Sequence, residues 1–424
     1  MRRIVILGGG YAGLHAFSAL RTKLRSRLRR GEVDVTLISR EGYHTYHGWT
    51  GEVLTGHLPV SDTLTPLEPM LGDNFVQGEV VSADLPGRAL TVQGADGERE
   101  IRYDHLVIAA GSVDPFDRIP GLAEHGWCVK DTLDMQALIG ELDRRDAAAR
   151  PRSVVVVGGG PAGVETASAL AARFARDGAS KVNIHLVSSS DELLPSMRPA
   201  FNHMADKAEG SLLAQGVQVH RGARVSQILA DHVALENGET ISADMAIVAA
   251  GVSYKVLRGT EALPRNAAGQ ILANDDLRVR GSSNVWVAGD LAGAAHPVTG
   301  EACPTNALWA MAQGDCVGAN IARAVKGKPV KRFGFKGLGQ TAGLAGQRGI
   351  TELYGMQFTG RLAWVIRILF FAWFMPSRSH ALSVVMHLSQ TLWGSVRETA
   401  SDVAATATPG ERPAPVPNAT GRLR

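Results

Sequence analysis

The chain has 424 residues, enough for two or three domains. Its apolar content of 45% and charged content of 20% are those of an ordinary globular protein, not of a disordered or fibrous one. A net charge of +3 makes no case for a nucleic-acid partner. The three cysteines, Cys128, Cys303 and Cys316, form no C-x-x-C pair, which argues against a dithiol centre or a disulfide scaffold and fits a reducing compartment.

Arg2 and Arg3 precede a run of only four apolar residues, Ile4-Val5-Ile6-Leu7, which enters a glycine turn. This predicts a first strand rather than a signal peptide, and a cytoplasmic chain. The turn reads Gly8-Gly9-Gly10-Tyr11-Ala12-Gly13. In such a turn the first glycine allows the sharp exit from the strand. The second admits a pyrophosphate to the backbone, and the third lets helix and strand pack closely. Free N–H groups at the positive end of the helix then face the phosphates. Ala16, Ser18 and Ala19 continue the helix, which ends in a solvated basic run through Arg21, Lys23, Arg25, Arg27, Arg29 and Arg30.

Residues 76–109 alternate in polarity and turn at Pro86-Gly87 and Asp96-Gly97, the pattern of an antiparallel meander. A buried strand then closes on Ala109-Ala110-Gly111. The pattern restarts at Val154-Val155-Val156-Val157, followed by Gly158-Gly159-Gly160-Pro161-Ala162-Gly163. Ala167, Ser168 and Ala169 follow as a helix, residues 182–188 and 217–219 read as strands, and Ala249-Ala250-Gly251 closes the unit. The duplication predicts two similar dinucleotide-binding units. One such turn is a weak signal, but a pair in strand-turn-helix context points to an enzyme that passes electrons between a flavin and a nicotinamide. Next, Asn284-Val285-Trp286-Val287-Ala288-Gly289-Asp290 is a short strand ending in an acid that can reach a flavin's ribityl or phosphate part.

The last third differs. Lys326, Lys328, Lys331, Arg332 and Lys336 are basic. Residues 362–375 are almost wholly apolar, yet fourteen residues fall short of the about 20 that span a bilayer. A second helix after Pro376 is predicted to place His380, Ser383, His387 and Gln390 on a polar stripe, with Leu382, Val385, Leu388 and Leu392 on an apolar face. The pair suits a monotopic membrane anchor, and packing on the core or on a second subunit is the alternative. From about 398 the chain is small, polar and proline-rich, as a disordered tail is.

These residues together resemble the type II NADH dehydrogenases, single-chain flavin-containing NADH:quinone oxidoreductases, over roughly residues 3–395. The resemblance rests on both glycine turns, Tyr43-His44, Phe75-Val76-Gln77-Gly78-Glu79-Val80, Ala110-Gly111-Ser112, Ile119-Pro120-Gly121, Val164-Glu165, residues 333–339 and residues 360–364. It implies an α/β fold of two Rossmann-like domains with a C-terminal helical membrane-associating segment. The implied divisions are an FAD domain in two parts (1–115 and 276–330), an NAD(P) domain (116–275), a membrane or dimer region (331–397) and a tail (398–424).

By resemblance, FAD falls to Gly8, Gly10, Tyr11, Ala12, Gly13, Ser39, Arg40, Val80, Ala110, Gly111, Gly289, Asp290 and Ala307. NAD(P)H falls to Gly158, Gly160, Pro161, Ala162, Gly163, Ser188, Ala250 and Gly251. Glu165 is the implied catalytic residue, near both nicotinamide and flavin; its bland alternative is an acid at a helix N-terminus. The resemblance further implies a membrane quinone as acceptor, a peripheral site on the inner face of the plasma membrane and a homodimer, with no metal and no nucleic acid.

Two departures stand out. Ser39 and Ser188 occupy the positions where an acid usually holds the adenosine ribose. At Ser188 this removes repulsion against a 2′-phosphate, so NADH and NADPH both stay open. The family's two helical glutamines are replaced, on this alignment, by Ala307 and Met311. Trp309 and Met311 then offer an apolar slot, and an unusual acceptor is open. A sulfide:quinone oxidoreductase shares the architecture but needs cysteines over the flavin, to which Cys128 and Cys303 are candidates. A non-catalytic nucleotide-binding redox sensor is the alternative of another class.

Overall fold

Ile4, Val5 and Ile6 are all buried, as a strand covered on both faces must be. Their strand, Arg2–Leu7, sits at the centre of a five-stranded parallel sheet ordered Val285–Val287, His105–Ile108, Arg2–Leu7, Val33–Ser39 and Phe75–Gln77. Ser153–Val157 is likewise buried throughout. It centres a second five-stranded parallel sheet: Gly126–Cys128, Met245–Val248, Ser153–Val157, Asn183–Val187 and Gln218–His220. The two sheets follow one plan, with each glycine-turn strand lying between its successor and its Ala-Ala-Gly strand. They differ at one edge, which the first sheet takes from later in the chain and the second from earlier. The computed structural model describes residues 1–148, 153–175 and 182–390. The expected tail and Leu392 lie outside these.

Each sheet carries an antiparallel meander. The first is Glu79–Asp84, Ala89–Gly94 and Gly97–Arg102; the second is Val225–Ile228, His232–Leu235 and Thr240–Ser242. Helix Tyr11–Lys23 packs against helix Ala307–Val325 closely enough that a Cβ on Gly314 would come 2.2 Å from the Ala12 carbonyl oxygen.

A third, antiparallel sheet, Gly339–Leu344, Arg348–Leu353 and Met356–Thr359, leads into helix Gly360–Phe374. That helix buries Ala363, Arg367 and Ile368 and exposes Leu362, Val365, Leu369 and Trp373. Residues 378–390 are also helical, with a different inner face from the expected one. His380 Nδ1 lies 2.9 Å from Thr65 Oγ1, and His387 Nδ1 lies 2.7 Å from Asp62 Oδ2. Ala381, Val384 and Leu388 are buried beside them, while Leu382 and Met386 face outward. The expected polar stripe therefore turns partly inward, because Thr65 and Asp62 offer it partners.

Candidate active site

Gly8 and Gly158 leave their strands at φ +117° and +133°, backbone that side-chain-bearing residues rarely adopt. A Cβ on Gly13 would come 1.9 Å from the Gly8 carbonyl oxygen, and one on Gly163 would come 1.8 Å from that of Gly158. The turns are therefore closed from behind. At Gly10 and Gly160, by contrast, a Cβ would meet nothing within 4 Å. The middle of each turn opens into free space in front of a helix N-terminus. No side chain caps the helix at Gly10, so its first N–H groups stay available to an anion. These features fit a dinucleotide diphosphate at each turn. Pro161 and Ala162 start the second helix, with Ala162 exposed.

Around the first turn, Asp290 follows Gly289, whose N–H donates to Gln313 Oε1 at 2.8 Å. Ser112 Oγ donates to Asp290 Oδ2 at 2.6 Å, and Lys130 Nζ donates to the same oxygen at 3.0 Å and to Ser112 Oγ. The Tyr11 hydroxyl accepts the His47 N–H at 2.9 Å, and burial holds its phenol well above the usual range. Ala110 and Gly111 stand at the open end of their strand, Ala110 exposed. Ala307 opens its helix behind Asn306, whose side chain accepts the Trp309 N–H at 3.2 Å. Val80 is buried in the first meander. Arg40 is exposed and paired with Glu41 at 2.8 Å. Trp309 and Met311, the residues of the expected apolar slot, are both buried.

The two serines occupy matching places. Ser39 Oγ lies 2.9 Å from where a Gly9 Cβ would stand, and Ser188 Oγ lies 2.2 Å from that of Gly159. Ser188 is tied to Ser190 through its N–H and carbonyl. Ala250 faces the second turn, its Cβ coming 2.7 Å from a Cβ on Gly158, and Gly251 follows at φ +76° beside Pro115.

Glu165, in the first turns of helix Pro161–Ala175, meets two charges that the motifs did not flag. Arg367 Nη2 donates to Glu165 Oε1 at 2.5 Å. Arg367 also grips Glu52, with Nη1 to Oε1 at 2.6 Å and Nη2 to Oε2 at 3.2 Å. The Gly343 N–H donates to Glu165 Oε1 at 2.9 Å, and the Gly48 carbonyl accepts from Arg367 Nη2 at 2.9 Å. The guanidinium stacks over Phe371, 4.6 Å from its centroid. Burial drives the Glu165 carboxyl above the usual carboxylate range, against the pull of Arg367. The same burial works against the guanidinium charge, but the two carboxylates outweigh it. A lone arginine inside the apolar run 362–375 was the available signal, because a buried charge requires partners.

Two glycine cradles on two sheets of one plan define a two-dinucleotide oxidoreductase fold. Residues 2–314 match the pyridine nucleotide-disulphide oxidoreductase family, and the chain belongs to it. It is similar to demethylphylloquinone reductase NdbB of Synechocystis sp., at 28% identity over 90% of this chain and 94% of that protein. It is also similar to the type II NADH:quinone oxidoreductase of Staphylococcus aureus, at 28% identity over 85% and 92%. Among solved structures, NDH2 of Plasmodium falciparum in complex with NADH superposes with a TM-score of 0.79 at 17% identity, covering 92% of this chain and 98% of that one. At that identity the likeness speaks for the fold alone.

Proposed function

We propose that this chain is an FAD-dependent NAD(P)H:quinone oxidoreductase. The observation that carries this reading is the pair of open cradles at Gly10 and Gly160, on a chain whose curated relatives are named for quinone reduction. FAD belongs at the Gly8–Gly13 turn beneath Asp290, Ser112 and Lys130, and the nicotinamide cofactor at the Gly158–Gly163 turn. Bound there, the flavin supplies hydride acceptance and electron delivery. The chain's own part is to hold both diphosphates on helix N-termini and to place Glu165 between the two units. Stopped-flow absorbance with NADH and NADPH, followed by reoxidation with a quinone panel, tests the reading. A protein that takes up no FAD, or whose flavin neither nicotinamide bleaches, sinks it.

The Ser188 position sets the choice of nicotinamide in this reading. Glu at 188 would place a carboxylate where a 2′-phosphate lies and repel it. Ser188→Glu is expected to shift the ratio of kcat/KM for NADH over NADPH upward by about tenfold or more. An unchanged ratio removes the residue from specificity.

No helix among the described residues is long and apolar enough to cross a membrane. Leu362, Val365, Leu369, Trp373, Leu382 and Met386 are exposed large apolar side chains on two consecutive helices. Arg378 stacks on Trp373 at 4.5 Å beside them. This surface suits a peripheral seat on the inner face of the plasma membrane, close to the quinone pool. Deleting everything from Gly360 onward is a poor test, since it also removes Arg367. Leu369→Glu with Trp373→Glu is expected to weaken liposome co-sedimentation at least about tenfold, each buried apolar side chain being worth about 1.5–3 kcal/mol. Flavin reduction by NADH should be spared. Undiminished sedimentation would make the same face a candidate for the homodimer, which analytical ultracentrifugation reads directly.

The cysteines do not favour sulfide chemistry. Cys128 is fully buried and its thiol is pushed up by burial. Burial also pushes Cys303 and Cys316 up to about 11, so all three stay protonated thiols at neutral pH.

A further inference from the structure

Residues 129–131 connect the edge strand Gly126–Cys128 of the second sheet to helix Thr132–Ala148, yet their partners belong to the first unit. His47 Nε2–H donates to the Lys130 carbonyl at 3.0 Å, and the Asp131 N–H donates to Asp114 Oδ2 at 3.0 Å. Thr132 Oγ1 shares a hydrogen bond of 2.8 Å with Thr45 Oγ1. The Lys130 ammonium donates to Ser112 Oγ and, at 3.0 Å, to Asp290 Oδ2. Three consecutive residues of the second unit thus clasp three separate segments of the first, around residues 45–47, 112–114 and 290.

Asp290 stands at the first glycine turn. Gly289 before it, at φ +79°, lies so near the helix behind the turn that its Cβ would come 3.1 Å from Ala12 Cβ. A carboxylate there repels a diphosphate held at the same helix N-terminus, so the acid alone would weaken the site it helps to build. Lys130 answers that charge. Its side chain is 28% exposed and that of Asp290 19%, so water screens the pair only in part. Among the described residues no other cation pairs with Asp290.

The same contacts fix what the carboxylate can bind. The Ser112 hydroxyl and the Lys130 ammonium both donate to Oδ2, while Oδ1 has no hydrogen-bond partner among the described residues. A carboxylate oxygen accepts and does not donate. Oδ1 therefore suits a sugar-alcohol hydroxyl and is unsuited to a phosphate oxygen.

We infer that Lys130 is a positioning residue of the flavin site, supplied by the second unit: it aims Asp290 Oδ1 at a ribityl hydroxyl and cancels the carboxylate's repulsion of the diphosphate. The inference rests on the functional reading above, in that FAD takes the first turn. The flavin cradle is then complete only when the nicotinamide unit is docked on it.

The test is a double-mutant cycle on the full chain, with FAD affinity read by flavin fluorescence on reconstitution after deflavination. Lys130→Met should weaken FAD binding at least about tenfold. Lys130→Arg, which keeps the charge, should recover most of the loss. Asp290→Asn removes the charge that Lys130 answers, so in that background Lys130→Met should cost less than about threefold. Ser112→Ala, which removes only the hydroxyl between the two, should show the same dependence on Asp290 and serves where Lys130→Met folds poorly. An affinity that Lys130→Met leaves unchanged overturns the inference. An equal loss in both backgrounds does so too, because the ammonium would then act without Asp290. A chain that shows the coupling but passes no electrons from nicotinamide to quinone overturns the functional reading instead, and an unmodified chain that takes up no FAD sinks both.

Discussion

Gly10→Val is expected to yield a folded protein that purifies without flavin. The position has no neighbour within 4 Å of a built Cβ, so the valine strains nothing behind the turn and fills the space in front of the helix N-terminus. The diphosphate needs that space, because its oxygens must reach free N–H groups at contact distance. FAD affinity should fall at least about 100-fold, or about 2.7 kcal/mol. The flavin-to-protein absorbance ratio reads the result, and circular dichroism confirms the fold. The contrasting variant is Gly13→Ala, whose Cβ would come 1.9 Å from the Gly8 carbonyl oxygen. It should damage folding itself. If Gly10→Val retains its yellow colour, the first turn is not the diphosphate site.

Arg367→Ala is expected to be the most destabilising single change in the described residues of the C-terminal region. It leaves Glu52 and Glu165 buried without a counter-charge, a loss of about 3–5 kcal/mol. The pH dependence has a definite sign. Glu165 is held above the usual carboxylate range in the folded protein, so its contribution is fully present below the unfolded value and fades as pH rises through the folded one. Without the arginine the ionised carboxylates lose their counter-charge. The Tm deficit of Arg367→Ala should therefore widen from mildly acidic to alkaline pH and narrow on acidification. A deficit independent of pH would mean that the arginine acts through packing on Phe371 rather than through charge.

The dinucleotide turns were legible because each glycine answers a local backbone demand that short-range sequence records. The first meander and the Ala-Ala-Gly strands were legible for the same reason, through turn residues and unbroken apolar runs; the second meander, Val225–Ile228 to Thr240–Ser242, was not read from the sequence. Glu52, Lys130 and Arg367 were not, since each acquires its meaning from partners more than 150 positions away: Glu52 and Arg367 are 315 apart, and Lys130 and Asp290 are 160 apart. Within residues 362–375 Arg367 reads as a lone interruption of an apolar helix, and only the tertiary fold supplies its two carboxylates. The 378–390 helix was misread in its facing, because His380 and His387 find Thr65 and Asp62 rather than water.

The borrowed edge of the first sheet has a consequence for how the chain is made. Val285–Val287 must dock beside His105–Ile108, and helix Ala307–Val325 must cover Tyr11–Lys23, before the amino-terminal unit is whole. The second unit is thus an insertion, its own sheet complete once Met245–Val248 has paired. During synthesis the inserted unit can mature first, while the earlier-born segment waits for its closing pieces across a long loop. Expressing residues 1–115 and 116–275 as separate chains should therefore give an aggregating amino-terminal product and a soluble second one.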